Sequence, residues 1–368
     1  MRVTENTTFY YIEVDREDRN TAGAKAPRDI AAICKKNGYQ EILLPYFPKE
    51  KNKIYQKLWL VFVAGYHWLK IKSRVKKDDI IIFQHPIYGN RLSEKMIPMI
   101  QKEKGAKFIA LIHDLESLRG GIANVIKNNV KTNEIADNAL LKHFDAIICH
   151  NEKMKQYMIG QGFEAEKLVN LDIFDYLSDS EGVKPVKGEK PSIAIAGSLA
   201  RGKCGYIHTM ASKKEGRNTG LTINLYGSSY EPDADSEENM IWHGSFKPEE
   251  LPEYLKGDFG LVWDGITYET CAGNTGEYLK YNNPHKTSLY LSSGMPVAVW
   301  KQAAIADFVL KNNVGIAVDN LADIEEIISK LTVEEYQTIC KNVEEVSAKL
   351  KDGYYTMRAI NEAIEKIR

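Results

Sequence analysis

"SIAIAGSLARGKC", Ser192 to Cys204, is the stretch on which the fold turns. A short apolar run ends at Gly197, and Gly202 and Lys203 follow at the spacing of a phosphate-binding loop. An apolar strand passing through a glycine turn into a helix is the building unit of doubly wound α/β sheets. The turn is also where such sheets hold phosphates. The pattern G-x-x-x-x-G-K is complete, but Cys204 stands where Ser or Thr would ligate Mg²⁺. A thiol is a poor partner for a hard cation that prefers oxygen. "FGLVWD" (Phe259 to Asp264) offers the strand and terminal Asp that a triphosphatase would need, so that reading stays open at this point.

Working outward, the same grammar recurs on both sides. Before it stand "FYYIEV" (9–14), "EILLP" (41–45), "IIIFQHP" (80–86), "FIALIHD" (108–114), "AIICHN" (146–151) and "LVNLDIF" (168–174). After it stand "LTINLYG" (221–227), "MIWHG" (240–244), "FGLVWD", "PVAVW" (296–300) and "GIAVD" (315–319). Continuous apolar runs without alternation suit strands buried on both faces of a parallel sheet. Helical patterns fill the gaps; in "APRDIAAICKKNG" (26–38), Ile30, Ile33 and Cys34 share a face and Gly38 stops the helix. The polar stretch 178–191, with two Pro and two Gly, reads as a linker. The pattern predicts an N-terminal domain over 1–177, the linker, a C-terminal domain over 192–345, and a helical segment over 346–368 that breaks near Gly353. Two doubly wound, Rossmann-like domains are expected, facing each other across a cleft that holds the active site.

The bulk numbers agree with a two-domain chain of this architecture. At 368 residues and 43% hydrophobic content the chain can bury two cores. Lys plus Arg total 49 against 50 for Asp plus Glu, which argues against a nucleic-acid partner. The five cysteines are scattered without a C-x-x-C pair, so reduced thiols are expected, in neither a disulfide framework nor a metal site. The N-terminus lacks signal-peptide features, and a cytoplasmic protein is expected.

Four clusters of polar residues fall at strand ends. In "DRNTAGAKAPRD" (18–29), Thr21 and Gly23 would open backbone amides to a ligand, or form an ordinary βα turn. In "QHPIYGN" (84–90), His85 either meets a ligand or caps the next helix. In "LIHDLESLRGG" (111–121), His113, Asp114, Glu116 and Arg119 crowd one strand end, as a site or as a salt-bridged loop. In "KYNNPHKTSLYLSSGMPVAVW" (280–300), Asn283 and His285 precede or open a helix with Lys286 in its first turn. A cation there is electrostatically odd unless an anion sits beside it.

"IIIFQHPIYGN", "FIALIHDLESLR", "FGLVWDG" and "HKTSLYLSSGMPVAVW" occur in an order and spacing that resemble the metal-independent GT-B glycosyltransferases of streptococcal serine-rich adhesins. The chain is similar also to bacterial galactofuranosyltransferases, over roughly residues 9 to 350. The resemblance implies a UDP-sugar donor on the C-terminal domain and a glycan, lipid-linked or glycoprotein acceptor on the N-terminal one. It implies that Arg201 and Lys286 hold the diphosphate with Thr21 near the same phosphates; the expected donor set adds Gly23, Gly197, Lys203, Tyr226, Asn283 and His285, with no metal or other cofactor. The loop "SLARGKCG" departs from the streptococcal form, so Lys203 shares or replaces the role of Arg201; Phe246 stands where some relatives carry Tyr. His85 and Arg119 are the expected acceptor contacts. Asp114 is the expected general base if the reaction inverts, with His113 and Glu116 as alternatives. A P-loop-like nucleoside triphosphatase or kinase and a degenerate, non-catalytic partner subunit are the alternatives, and a homo-oligomer is expected.

One stretch is left over. "NKIYQKLWLVFVAGYHWLKIKSRVKK" (52–77) reads as a buried helix of the N-terminal sheet. Its apolar residues run almost all round the helix and its end is crowded with Lys and Arg, so peripheral membrane docking or a subunit contact is the alternative. The apolar part, Leu58 to Leu69, is too short to span a hydrocarbon layer about 30 Å thick.

Overall fold

The computed structural model describes residues 7–15, 22–87, 90–119, 134–210, 220–232 and 239–368. Each apolar run becomes a strand. The first half holds β1 (Phe9–Val14), β2 (Gln40–Leu44), β3 (Ile80–His85), β4 (Lys107–Ile112), β5 (Ala146–Cys149) and β6 (Leu168–Asn170). The second holds β7 (Ser192–Ala196), β8 (Thr222–Tyr226), β9 (Met240–Trp242), β10 (Phe259–Val262), β11 (Val297–Trp300) and β12 (Gly315–Val318). Every residue of β3, β5, β10 and β11 is buried, as strands covered by helices on both faces must be.

All pairings in both sheets are parallel. The first sheet has the order β2-β1-β3-β4-β5-β6, the second β12-β11-β10-β7-β8-β9. Each order reverses once: between β1 and β3 in the first sheet, and between β7 and β10 in the second. Helices leaving neighbouring strands at such a point go to opposite faces, which opens a crevice at the carboxyl ends where ligands bind.

The chain divides into two compact units. One comprises the N-terminal strand, Gly23–Leu171 and Thr356–Arg368; the other comprises Asp172–Tyr355. The stretch 178–191 has almost no regular structure and lies along the second unit, with Val183 N donating to Ser293 O at 2.7 Å and Lys351 Nζ to Ser180 O at 2.7 Å. The C-terminal segment is two helices, Val333–Asp352 and Tyr354–Ile367, separated by Gly353 at φ 81°. A capping box of Thr332 and Glu335 opens the first. In the second, Arg358 Nη2 donates to Asn170 O at 2.8 Å and Leu171 O at 2.9 Å, within the first unit.

Two expectations change. The helix after β1 already begins at Ala22, so Gly23 lies in its first turn and not in an open βα loop. Lys25 and Asp29, one helical turn apart, form a buried ion pair there, with Lys25 Nζ 2.6 Å from Asp29 Oδ2. The helical run Lys53–Arg74, which includes a π-helical turn over Leu60–Ala64, is buried on one face alone. Ala64, Trp68, Ile71 and Val75 face the core, and the opposite apolar face is exposed.

Candidate active site

In the second unit the chain leaves β7 at Gly197, whose N–H donates to Tyr226 O at 2.9 Å. Leu199 N donates to Ser228 O at 3.0 Å, so the turns after β7 and β8 are laced together. Gly227 makes the lacing feasible: it sits at φ 150°, and a Cβ there would stand 1.7 Å from Gly197 O. The short helix Arg201–Cys204 follows, and Gly265 N, just past β10, donates to Lys203 O at 2.8 Å. Cys204 points inward. Its Sγ donates to Ser198 O at 3.1 Å and burial pushes its thiol pKa up. The position that would ligate Mg²⁺ in a triphosphatase is therefore spent on the loop's own carbonyl.

The helix His285–Ser292 packs against these strand ends, anchored by Ala196 N donating to the Tyr290 hydroxyl at 2.7 Å. In its first turn, Lys286 Nζ lies 2.8 Å from Asp264 Oδ1 and 3.4 Å from Trp263 O. Both side chains are 13% exposed. A Cβ at Gly197 would stand 3.4 Å from Lys286 Cε, so the missing side chain leaves the lysine stem its path. Burial opposes the ammonium, but the facing Asp264 outweighs it and raises the Lys286 pKa above its ordinary value. Gly197, Asp264 and Lys286 thus meet where the sheet order reverses, between β7 and β10. Arg201 is exposed and Lys203 half-buried on the adjoining loop, and Lys203 and Lys286 both act electrostatically on the Cys204 thiol. Two further cations thus stand on the loop beside the Lys286–Asp264 pair, near the turn after the strand where such sheets bind phosphates. Asp264 was not in the expected donor set; its signal was the strand-plus-Asp pattern of "FGLVWD", read from the sequence as part of a triphosphatase site.

Other members of the expected donor set have structural duties. Tyr226 is buried, its hydroxyl accepts from Lys256 N at 2.9 Å, and burial pushes its pKa up to about 12. Asn283 is buried, with Nδ2 donating to Asp172 O at 3.0 Å. The His285 ring packs on Tyr176 at 5.2 Å and Phe174 at 6.1 Å. Phe246 stacks on Tyr254 at 4.5 Å. Thr21 lies outside the described residues. Among those described, no three His, Cys, Asp or Glu side chains converge as a metal set.

In the first unit, the ends of β3 and β4 gather the remaining candidates. His85 is removed from the acceptor set because its ring is fully buried, with Nε2 3.0 Å from Asp137 Oδ1. Asp137 Oδ2 in turn accepts from Ser117 N at 2.6 Å, so the pair braces the turn that carries Asp114 and Arg119. Gln84 Nε2 donates to Ile12 O at 3.3 Å, which turns its carbonyl oxygen toward His113 Nε2 at 2.8 Å and makes that nitrogen the donor. Asp114 Oδ2 accepts from Arg119 Nη1 at 2.9 Å, and Glu116 lies 3.9 Å from the same nitrogen. His113, Asp114 and Glu116 are part-exposed and Arg119 exposed, on the loop just past β4. Gln84 and Asp137 had not been named from the sequence; each meets its partner across a long stretch of chain.

Comparison with known proteins agrees with this fold. The family model "Glucosyltransferase 3-like, N-terminal domain" matches residues 8–173, and its C-terminal counterpart matches residues 193–363. A β-1,6-galactofuranosyltransferase of Escherichia coli is 31% identical over 98% of this chain and 99% of its own. A glucosyltransferase 3 of Streptococcus gordonii is 28% identical over 81% of this chain and 82% of its own. Among solved structures, a sucrose-phosphate synthase of Thermosynechococcus elongatus superposes with TM-score 0.61 at 14% identity, covering 96% of this chain and 97% of that one. A lipopolysaccharide outer core galactosyltransferase superposes with TM-score 0.55 at 12% identity, covering 98% and 99%. These likenesses place the paired parallel sheets in the GT-B class. With both halves matched and nearly its whole length shared with a curated relative, the chain belongs to the glucosyltransferase 3-like family of sugar-transferring enzymes.

Proposed function

We propose that this enzyme transfers a galactofuranosyl or glucosyl group from a UDP-sugar to a glycan, glycolipid or glycoprotein acceptor without a bound metal. The observation that carries the reading is the Lys286–Asp264 pair beside Gly197, at the point where the second sheet reverses its strand order. In this reading Lys286, Arg201, Lys203 and the amides after Gly197 hold the donor diphosphate. When the bond between the sugar carbon and the phosphate oxygen breaks, negative charge grows on the departing UDP. Fixed cations aimed at that charge stabilise the transition state in the place a metal would take. Asp264 keeps Lys286 protonated and aimed. In an inverting reaction Asp114 takes the proton of the acceptor hydroxyl as its oxygen attacks the sugar carbon.

The test combines binding and turnover. UDP should raise the melting temperature, since a ligand of the native state stabilises it, whereas ATP with Mg²⁺ should not. Hydrolysis or transfer from a panel of UDP-sugars in EDTA identifies the donor. Stabilisation by ATP with Mg²⁺ alone, or activity abolished by EDTA and restored by Mn²⁺, sinks the proposal.

A further inference from the structure

The helical run Lys53–Arg74 shows water a stripe that a folded protein normally hides. Ile54, Leu58, Val61, Phe62, Tyr66 and Leu69 recur at helical spacing and are all exposed, Ile54 by 74% and Phe62 by 69%. The opposite face, through Trp68 and Ile71, is already seated on the core, so the stripe is not a core face awaiting closure of the same unit. A contiguous apolar surface of this size marks a contact site.

The charge around the stripe selects the partner. Between Lys49 and Lys77 there are nine Lys and Arg residues and one acid, Glu50, in a chain whose total charge is near balance. Lys72 is paired with Glu103 at 2.6 Å, and Arg74 is held by Gln40 and Glu41 O. Lys49, Lys51, Lys53 and Lys57 stand exposed before and along the start of the stripe, and Lys70, Lys76 and Lys77 toward its far end. A second copy docking face to face would bring the same positive field against itself, and like charges repel across such a contact. An anionic lipid surface supplies both the missing negative charge and an apolar layer for the stripe. Tyr55 and Tyr66, also exposed, are residues that favour the water–lipid boundary. No helix among the described residues is long and apolar enough to cross a membrane, so the contact would lie in the surface plane.

We propose that the exposed face of Lys53–Arg74 docks this protein on an anionic membrane surface. The proposal is independent of the donor reading, and its test does not use turnover. The full chain is floated with vesicles containing about 30% phosphatidylglycerol and with pure phosphatidylcholine vesicles, in low salt and in about 0.5 M salt. Flotation is expected with the anionic vesicles at low salt, weakened about tenfold by high salt. Phe62→Ser/Tyr66→Ser should abolish it by removing the apolar anchor, and Lys53→Glu/Lys57→Glu should weaken it by at least about tenfold. The lysine variant changes only surface residues, so it decides the matter should the serine variant fail to fold. Absence of flotation with anionic vesicles at low salt overturns the proposal. So does light scattering that shows an oligomer dissociated by Phe62→Ser/Tyr66→Ser, in a protein that floats no better than that variant.

Discussion

The Lys286 ammonium and the Asp264 carboxylate meet at 2.8 Å, each side chain shielded from water at the turning point of the second sheet. Neither charge is stable there without the other. Lys286→Ala leaves a buried carboxylate unpaired, and about 3 kcal/mol of stability should be lost on urea unfolding. Loss of a charge-assisted phosphate contact should also weaken UDP binding by about 1.5–3 kcal/mol, roughly 10- to 150-fold by calorimetry. Adding Asp264→Ala should restore much of the stability and none of the affinity. Unchanged UDP affinity in a folded variant would remove Lys286 from the site. The raised lysine pKa means that its stabilisation is complete below the unfolded-state value of about 10.4 and fades only as pH climbs above it.

Tyr290 acts one step behind that pair. Its hydroxyl accepts the Ala196 N–H at the very end of β7, and both groups are buried. Tyr290→Phe keeps the ring and strands the donor, at a cost of about 1–3 kcal/mol. Because the next residue is Gly197, the KM for the donor should rise while kcat changes less. A variant as stable as the parent would show that Ala196 N finds another acceptor.

The strands were legible because burial on both faces writes itself as an unbroken apolar run; β3, β4, β7 and β10 could be placed from composition alone. Helix faces were half legible. In Lys53–Arg74 both sides are apolar, and periodicity cannot say which one the core takes. The candidate phosphate-binding cations could be placed by spacing, since a glycine turn after a strand fixes where a loop must lie. Their partners could not. Asp264 and Lys286 are 22 positions apart, and His85 and Asp137 are 52 apart. Only the folded sheets bring such residues together, so His85 looked like a ligand contact and Asp264 like a remnant of another motif. Tyr226 and Asn283 each meet a backbone group far away in sequence, a duty that their local pattern does not announce.

Asp114→Asn keeps a hydrogen-bond acceptor for Arg119 but removes the proton-accepting carboxylate. Transfer to the acceptor should fall by about 100-fold or more, the usual worth of a general base, with UDP affinity unchanged. Full turnover by the variant would exclude Asp114 as base.

His150 provides a stability prediction at acidic pH. Its ring is buried at the end of β5, with Nε2 donating to Ile112 O at 3.1 Å, and burial lowers its pKa to about 4 against weaker support from backbone hydrogen bonds. The unfolded chain takes up a proton near pH 6.5 that the folded one refuses until about pH 4. Stability should therefore drop as pH falls through that window, by about 3 kcal/mol, and level off below it. His150→Gln, which retains a donor for Ile112 O, should flatten this part of the profile. An unchanged slope in urea midpoints between those pH values would assign the acid sensitivity elsewhere.

From Thr356 onward the last helix belongs with strands far earlier in the sequence, through Arg358 and the carbonyls of Asn170 and Leu171. During synthesis, domains ordinarily fold in the order in which they emerge, the N-terminal one first. Here two carbonyls of the first unit meet their partner only once Arg358, 188 positions after Asn170, has left the ribosome. A nonsense mutation or proteolytic clip near residue 355 would spare every strand and every candidate phosphate ligand, yet it would injure the half of the protein farthest from it in sequence.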